Sequence, residues 1–206
     1  MNVEHADGER HDLDVSALPD HAFGHHGLIW WGTTGFMVIE GSMFVLVLIA
    51  YFYFRLRVPQ WPPSLPDPAL APGIASTLIL LASCIPNHLT KVAAERYDLR
   101  RVRLWMLVCI VCGVAILVAR ALEFPALNAS WDNNAYASIT WLLLGLHTSH
   151  VITDLLDTIV LAAIVFTTEV DGPRFVDVSE NSLYWYFVAV SWIPIYLTIY
   201  FAPRWL

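Results

Sequence analysis

Charged side chains are scarce in this chain. Asp, Glu, Lys and Arg make up 14% of its 206 residues, against about a quarter in a soluble globular domain, which excludes a water-facing surface for most of its length. Cysteine is scarce as well, at Cys84, Cys109 and Cys112 only, and that excludes a disulfide framework. There is no glycine-rich phosphate loop, no nucleophile elbow and no metalloprotease histidine pair. No basic, aromatic-rich stretch points to nucleic acid. The N-terminus lacks the basic start and apolar core of a secretory signal peptide, so it is expected to be retained. Internal repeats and the paired Gly/Pro-broken helices of transporters are also missing, Pro86 and Pro194 being single breaks.

What is present is hydrophobic: 57% of residues are apolar or aromatic, and mean hydropathy is +0.58. The first long run, 29–54, holds one charged side chain, Glu40, near its middle. At ~1.5 Å per residue such a run exceeds the ~30 Å hydrocarbon core of a bilayer. Four more runs of membrane length follow. The pattern predicts an all-α integral membrane protein, a bundle of five transmembrane helices at 29–54, 72–92, 102–124, 137–167 and 181–202 within a domain covering 29–206. The breaks are the proline-rich 58–72, a charged hairpin at 97–103, the polar 123–136, and the acidic 169–181 with its Gly172-Pro173 turn. A membrane β-barrel is excluded, because its strands would be about ten residues long and alternating.

The net charge of −7 is concentrated before Trp30, where Glu4, Asp7, Glu9, Asp12, Asp14 and Asp20 face only Arg10. Residues 1–28 therefore read as a short acidic, histidine-containing tail, disordered or partner-bound. On the side of the N-terminus lie Arg10, Lys91, Arg96, Arg100, Arg101, Arg103 and Arg174; on the other lie Arg55, Arg57, Arg120 and Arg204. Seven against four predicts a cytoplasmic N-terminus and an outside C-terminus. Most tryptophans fall near predicted helix ends, as an interfacial belt requires.

The polar residues inside the spans are the candidates for chemistry. An isolated intramembrane acid such as Glu40 is costly and marks either a packing partner or a proton-active or lipid-contacting group. His147, His150, Asp154 and Asp157 stand at i, i+3, i+7 and i+10, one face of the fourth helix. With Glu40, His88 and Glu123 in the same bundle, that face reads either as a polar seam or as an intramembrane metal site. Arg120 and Glu123 are spaced as a local ion pair. Cys109 and Cys112 sit in an apolar helix and read as small packing residues. The tail histidines, His5, His11, His21, His25 and His26, have too few flanking constraints to define a metal site.

Taken in order, several stretches resemble subunit III of the haem–copper oxidases, the cytochrome c and quinol oxidase family. They are VIEGSMFVLVLIAYFYFR around Glu40, the Trp61-Pro62-Pro63 loop, STLILLAS from Ser76 with Asn87-His88 after it, and Ala121-Leu122-Glu123-Phe124. The fourth helix carries Leu146-His147-Thr148-Ser149-His150-Val151 and the fifth Tyr184-Trp185-Tyr186-Phe187-Val188-Ala189-Val190-Ser191-Trp192. The likeness runs from about Trp30 to the end. Tyr186 and Ala189 stand where the family has His and Asp, Arg120 where Gln is usual, and Asp154 where Gly is common. The chain thus resembles a divergent member of the short, five-helix bacterial type.

The resemblance implies a non-catalytic accessory subunit of a respiratory oxidase in the bacterial cytoplasmic membrane. It implies no haem or copper in this chain, these lying in a partner catalytic subunit I with subunit II beside it. It also implies bound phospholipid and support of proton uptake during oxygen reduction. Glu40, His88, Glu123, His147 and His150 would form an inner polar cluster, with Trp61, Arg120, Asp154, Asp157 and Tyr186 as further polar or partner contacts. Two alternatives stand: a subunit-III-like component of a nitric oxide reductase-type complex, and an intramembrane metalloenzyme using the His147/His150/Asp154/Asp157 face.

Overall fold

The computed structural model describes residues 22–63 and 65–205; the acidic, histidine-bearing stretch up to residue 21 lies outside them. Five helices are long and apolar enough to cross a membrane: α1 (Leu28–Arg55), α2 (Leu70–Glu95), α3 (Leu99–Glu123), α4 (Ala135–Thr167) and α5 (Gly172–Tyr196). α5 runs on through a π-turn (Leu197–Phe201) into α6, a last turn (Ala202–Trp205). Among the described residues there are no strands. The connections are short, so successive helices run antiparallel. The starts of α1, α3 and α5 share one side, the N-side, with the ends of α2 and α4.

Each start has a local cause. Asp98 and Asn134 accept from the backbone N–H three residues on, Arg101 at 3.1 Å and Ala137 at 2.9 Å, as N-caps of α3 and α4. α5 differs most from the sequence reading. The acidic 169–181 was expected to be a loop broken at Gly172-Pro173, with the helix beginning at 181; instead α5 starts nine residues earlier, at Gly172. Asp171 caps it through Arg174 N, and Pro173 occupies the first turn, where its missing N–H costs nothing. The glycine–proline pair starts the helix rather than interrupting it.

Packing follows from small and aromatic residues. The buried face of α2 runs through Gly73, Ser76, Leu80, Ser83, Asn87, Thr90, Ala93 and Ala94, and small side chains let membrane helices approach closely. α2 makes its broadest contacts with α3 and α5, α4 joins α3 to α5, and α1 lies at the edge against α4 and α5. One apolar cluster surrounds Tyr51, Tyr136 and Trp192; a smaller one on the N-side holds Ala93, Met106, Val165 and Phe175. There Arg103 donates twice to Val165 O, at 2.8 and 3.1 Å, tying the start of α3 to the end of α4.

On the opposite side, polar caps stitch the loops together. Asn134 donates to Pro63 O at 3.2 Å, Asn128 to Asp67 O at 3.1 Å and Arg204 to Pro68 O at 2.6 Å. Trp61 folds inward, buried, and donates to Tyr51 Oη at 2.9 Å while meeting Tyr51 and Tyr136 edge to face. The proline-rich loop is thereby a fixed lid on the bundle.

Gly73 of α2 packs directly against the ring of Tyr200. A Cβ there would lie 2.8 Å from Tyr200 Oη and against its ring. Gly73→Ala is expected to cost about 1–3 kcal/mol through overpacking and to lower the midpoint of thermal unfolding followed by tryptophan fluorescence in detergent. Gly145→Ala, where a Cβ meets nothing within 4 Å, should leave that midpoint unchanged or raise it.

Candidate functional site

The polar side chains inside the bundle form two separate networks and one open groove. The deeper network is centred on Glu123, the last residue of α3, whose side chain is fully buried. Its Oε2 accepts from Arg120 Nη1 at 2.7 Å and from Ser76 Oγ of α2 at 2.5 Å; its Oε1 accepts from Tyr200 Oη of the π-turn at 2.6 Å. Three donors, one of them the Arg120 guanidinium, engage both oxygens of this carboxyl group. Arg120, 1% exposed, lies with its guanidinium carbon 3.6 Å from the centre of the Trp192 ring, a cation–π contact. Trp192 in turn donates to Thr77 Oγ1 at 2.8 Å.

His147 completes this network and its tautomer follows from its partners. Arg120 Nη2 stands 3.2 Å from Nδ1, and a guanidinium only donates, so Nδ1 is the acceptor. Nε2 is 3.0 Å from Val188 O, a pure acceptor, so it carries the hydrogen. His147 is thus a neutral bridge from α3 to α5, with both ring nitrogens engaged.

The second network lies between α1, α4 and α5. Tyr184 donates to Glu40 Oε2 through a very short hydrogen bond. His150 Nδ1 is 2.6 Å from Leu146 O and must carry a hydrogen; its Nε2 faces Glu40 Oε1 at 3.5 Å. The Phe44 ring, 4.7 Å from that of His150, covers the pair from the α1 side.

The residues expected to form one inner cluster are thus divided. Glu123, His147 and Arg120 share a network, Glu40 and His150 share another, and His88 belongs to neither. His88 is exposed on α2 and bonds at 3.1 Å to Tyr186 Oη, which places both on an outer face. The buried side of α2 carries Asn87 and Thr90 instead, and His88 is one residue, about 100°, off that face. The His147–Asp157 face does not converge either: Asp154 and Asp157 line a groove of about 710 Å³ between α1, α4 and α5. Among the described residues no three or more His, Cys, Asp or Glu side chains are placed to hold one metal ion. Trp61 belongs to the loop lid, not to either network.

Sequence reasoning did not single out Tyr184, Tyr200 or Glu180 as site residues. The tyrosines look like interfacial or packing residues until their hydroxyls are traced to carboxylates in helices more than seventy residues away. Glu180 was hidden by the loop assigned to 169–181; it is buried in α5, with Oε1 accepting from Gly24 N at 3.3 Å.

Comparison with known proteins bears on the same residues. A family model described as Cytochrome c oxidase subunit III matches residues 14–204. The chain is 29% identical over 198 residues to the cytochrome c oxidase subunit 3 of Synechocystis sp., covering 92% of this chain and 83% of that protein. It is 27% identical over 185 residues to the probable cytochrome c oxidase subunit 3 of Mycobacterium tuberculosis, covering 88% and 91%. To the cytochrome c oxidase subunit 3 of Corynebacterium diphtheriae it is 26% identical over 186 residues, covering 87% and 91%.

The Arg120–Glu123 pair makes a double-mutant prediction. Glu123→Gln leaves a buried guanidinium without its counter-charge and should destabilise the protein by about 3–5 kcal/mol. Arg120→Met should do the same to the carboxylate. The double variant, with no buried charge, should recover most of that loss in detergent melting curves.

Proposed function

We propose that this chain, which belongs to the cytochrome c oxidase subunit III family, is the accessory third subunit of a bacterial respiratory haem–copper oxidase. It is a multi-pass membrane protein, and as a subunit III it works in a complex with other oxidase subunits. In this reading it binds no redox cofactor, stabilises the catalytic subunit, holds phospholipid in grooves between its helices and supports proton uptake during oxygen reduction. The single observation that carries the reading is the family match over nearly the whole chain. The lysine and arginine distribution supports a cytoplasmic N-side and an outside C-terminus.

The geometry suits a non-catalytic partner. In the deep network the carboxylate oxygens and both His147 nitrogens are bonded within the chain, so these groups fix helix positions rather than wait for a substrate. The Glu40–His150 pair lies beside an acidic groove between α1, α4 and α5, a placement that fits a role in proton handling. A second reading, a subunit-III-like component of a nitric oxide reductase-type complex, rests on the departures from the family pattern described above, Arg120, Asp154, Tyr186 and Ala189.

Affinity purification of the tagged chain in mild detergent, with mass spectrometry and a dithionite-minus-oxidised spectrum, tests both. The expected result is haem absorption bands and a large multi-helix catalytic subunit, with band positions separating oxidase from reductase. A colourless, solitary 23.2 kDa protein would overturn the accessory role.

A further inference from the structure

The groove between the N-side halves of α1, α4 and α5 is unbalanced in both charge and hydrogen bonding. Its ionisable lining consists of carboxyls and one tyrosine, Glu40, Asp154, Asp157, Asp177, Glu180 and Tyr184, with no lysine, arginine or histidine. Glu40 is engaged by Tyr184 and His150, and Asp177 by Arg174 at the rim at 3.2 Å. Asp154 is different: it is 2% exposed, and neither carboxyl oxygen has a hydrogen-bond partner among the described residues. Glu180 Oε2 and Asn181 Oδ1 on the facing helix are likewise buried and unpartnered. Leaving such buried acceptors without a donor is costly, more so if they are charged.

The vacant partner is therefore a donor and a cation. A metal ion fits poorly, since among the described residues no three ligating side chains converge and the walls are the apolar Phe36, Val160, Leu161 and Ile164. An anionic headgroup would meet carboxyl groups on three helices. A single added proton would serve one oxygen and leave the other acceptors and about 710 Å³ unfilled. A groove of this volume is in the range that takes a drug-sized organic molecule. From Ile29 to Glu40, α1 offers a path of about 16 Å at ~1.5 Å per residue, with carboxyls and apolar walls interleaved.

We propose that this groove binds an alkylammonium ion, its ammonium group donating to Asp154 and reaching toward Glu180 and Asn181, its methylene chain lying along Phe36, Val160, Leu161 and Ile164. An ammonium supplies three donors and the missing charge, and its alkyl body covers the apolar walls. Membrane amphiphiles headed by a primary amine and free linear polyamines share this chemistry. The site does not depend on the accessory role, because each residue it uses belongs to this chain.

The test uses the full chain in a neutral maltoside detergent and a nitroxide-labelled hexadecylammonium, read by electron paramagnetic resonance. Labelled hexadecanol and hexadecyl phosphate of the same chain length serve as comparisons. An immobilised signal is expected from the ammonium probe and not from the other two. Asp154→Asn should weaken it about tenfold or more, the size of a lost charge-assisted bond. Asp132→Asn, the same charge change on an exposed loop, should not. Val160→Trp fills the groove without touching an acid and should also abolish the signal, so the proposal stays testable if Asp154→Asn does not fold. Displacement by spermidine would assign the site to free polyamines, and failure of displacement to amphiphiles; either result keeps the alkylammonium class. Equal immobilisation of all three probes, or binding indifferent to both groove variants, overturns it, whatever the purification says about oxidase partners.

Discussion

The bundle depends on one buried ion pair. Arg120 and Glu123 lie one turn apart on α3, both shielded from solvent. Neither charge is tolerable alone when buried to that extent. Because they are paired, the remaining valences can be used for assembly: Ser76 brings α2, His147 brings α4, Trp192 brings α5 and Tyr200 brings the π-turn. Transmembrane helices have no hydrophobic drive to associate, so directional contacts of this kind set which helices meet and in what register.

The second constraint is an asymmetry between the two halves of the protein. Toward the C-terminal side, the loop lid, the aromatic cluster and the Glu123 network close over the ends of the helices. Toward the N-side, a groove between α1, α4 and α5 is lined by the buried carboxyls of Asp154 and Glu180. Rigidity and openness are thus segregated along the membrane normal. The Glu40–His150 pair sits where they meet, supported by Phe44 on one side and open to the groove on the other.

Much of this was legible in the sequence, for definable reasons. Hydropathy gives the number of helices because each run must match a bilayer, and the i, i+3 spacing of Arg120 and Glu123 gives their pairing because both lie on one helix. The start of α5 was misread because Gly172-Pro173 serves equally as a turn or as a helix start, and the capping Asp171 decides between them. His88 was misplaced because a 100° step separates an inward from an outward residue, and periodicity in a helix apolar on every side does not fix its rotation. Tyr184 and Tyr200 were invisible because their bonds join helices far apart in the chain, and residue type does not say which helix will face which.

The locality of the Arg120–Glu123 pair has a consequence for how the protein is made. Both residues belong to α3, so each has its counter-ion as soon as that single helix forms, before α4 or α5 has been synthesised. Beyond Arg103 the apolar length of α3 carries no net charge, so it can enter lipid with a dipole rather than two bare charges. Tyr200, on the π-turn after α5, closes the coordination of Glu123 last. The order of translation is thereby also the order in which this polar centre is completed.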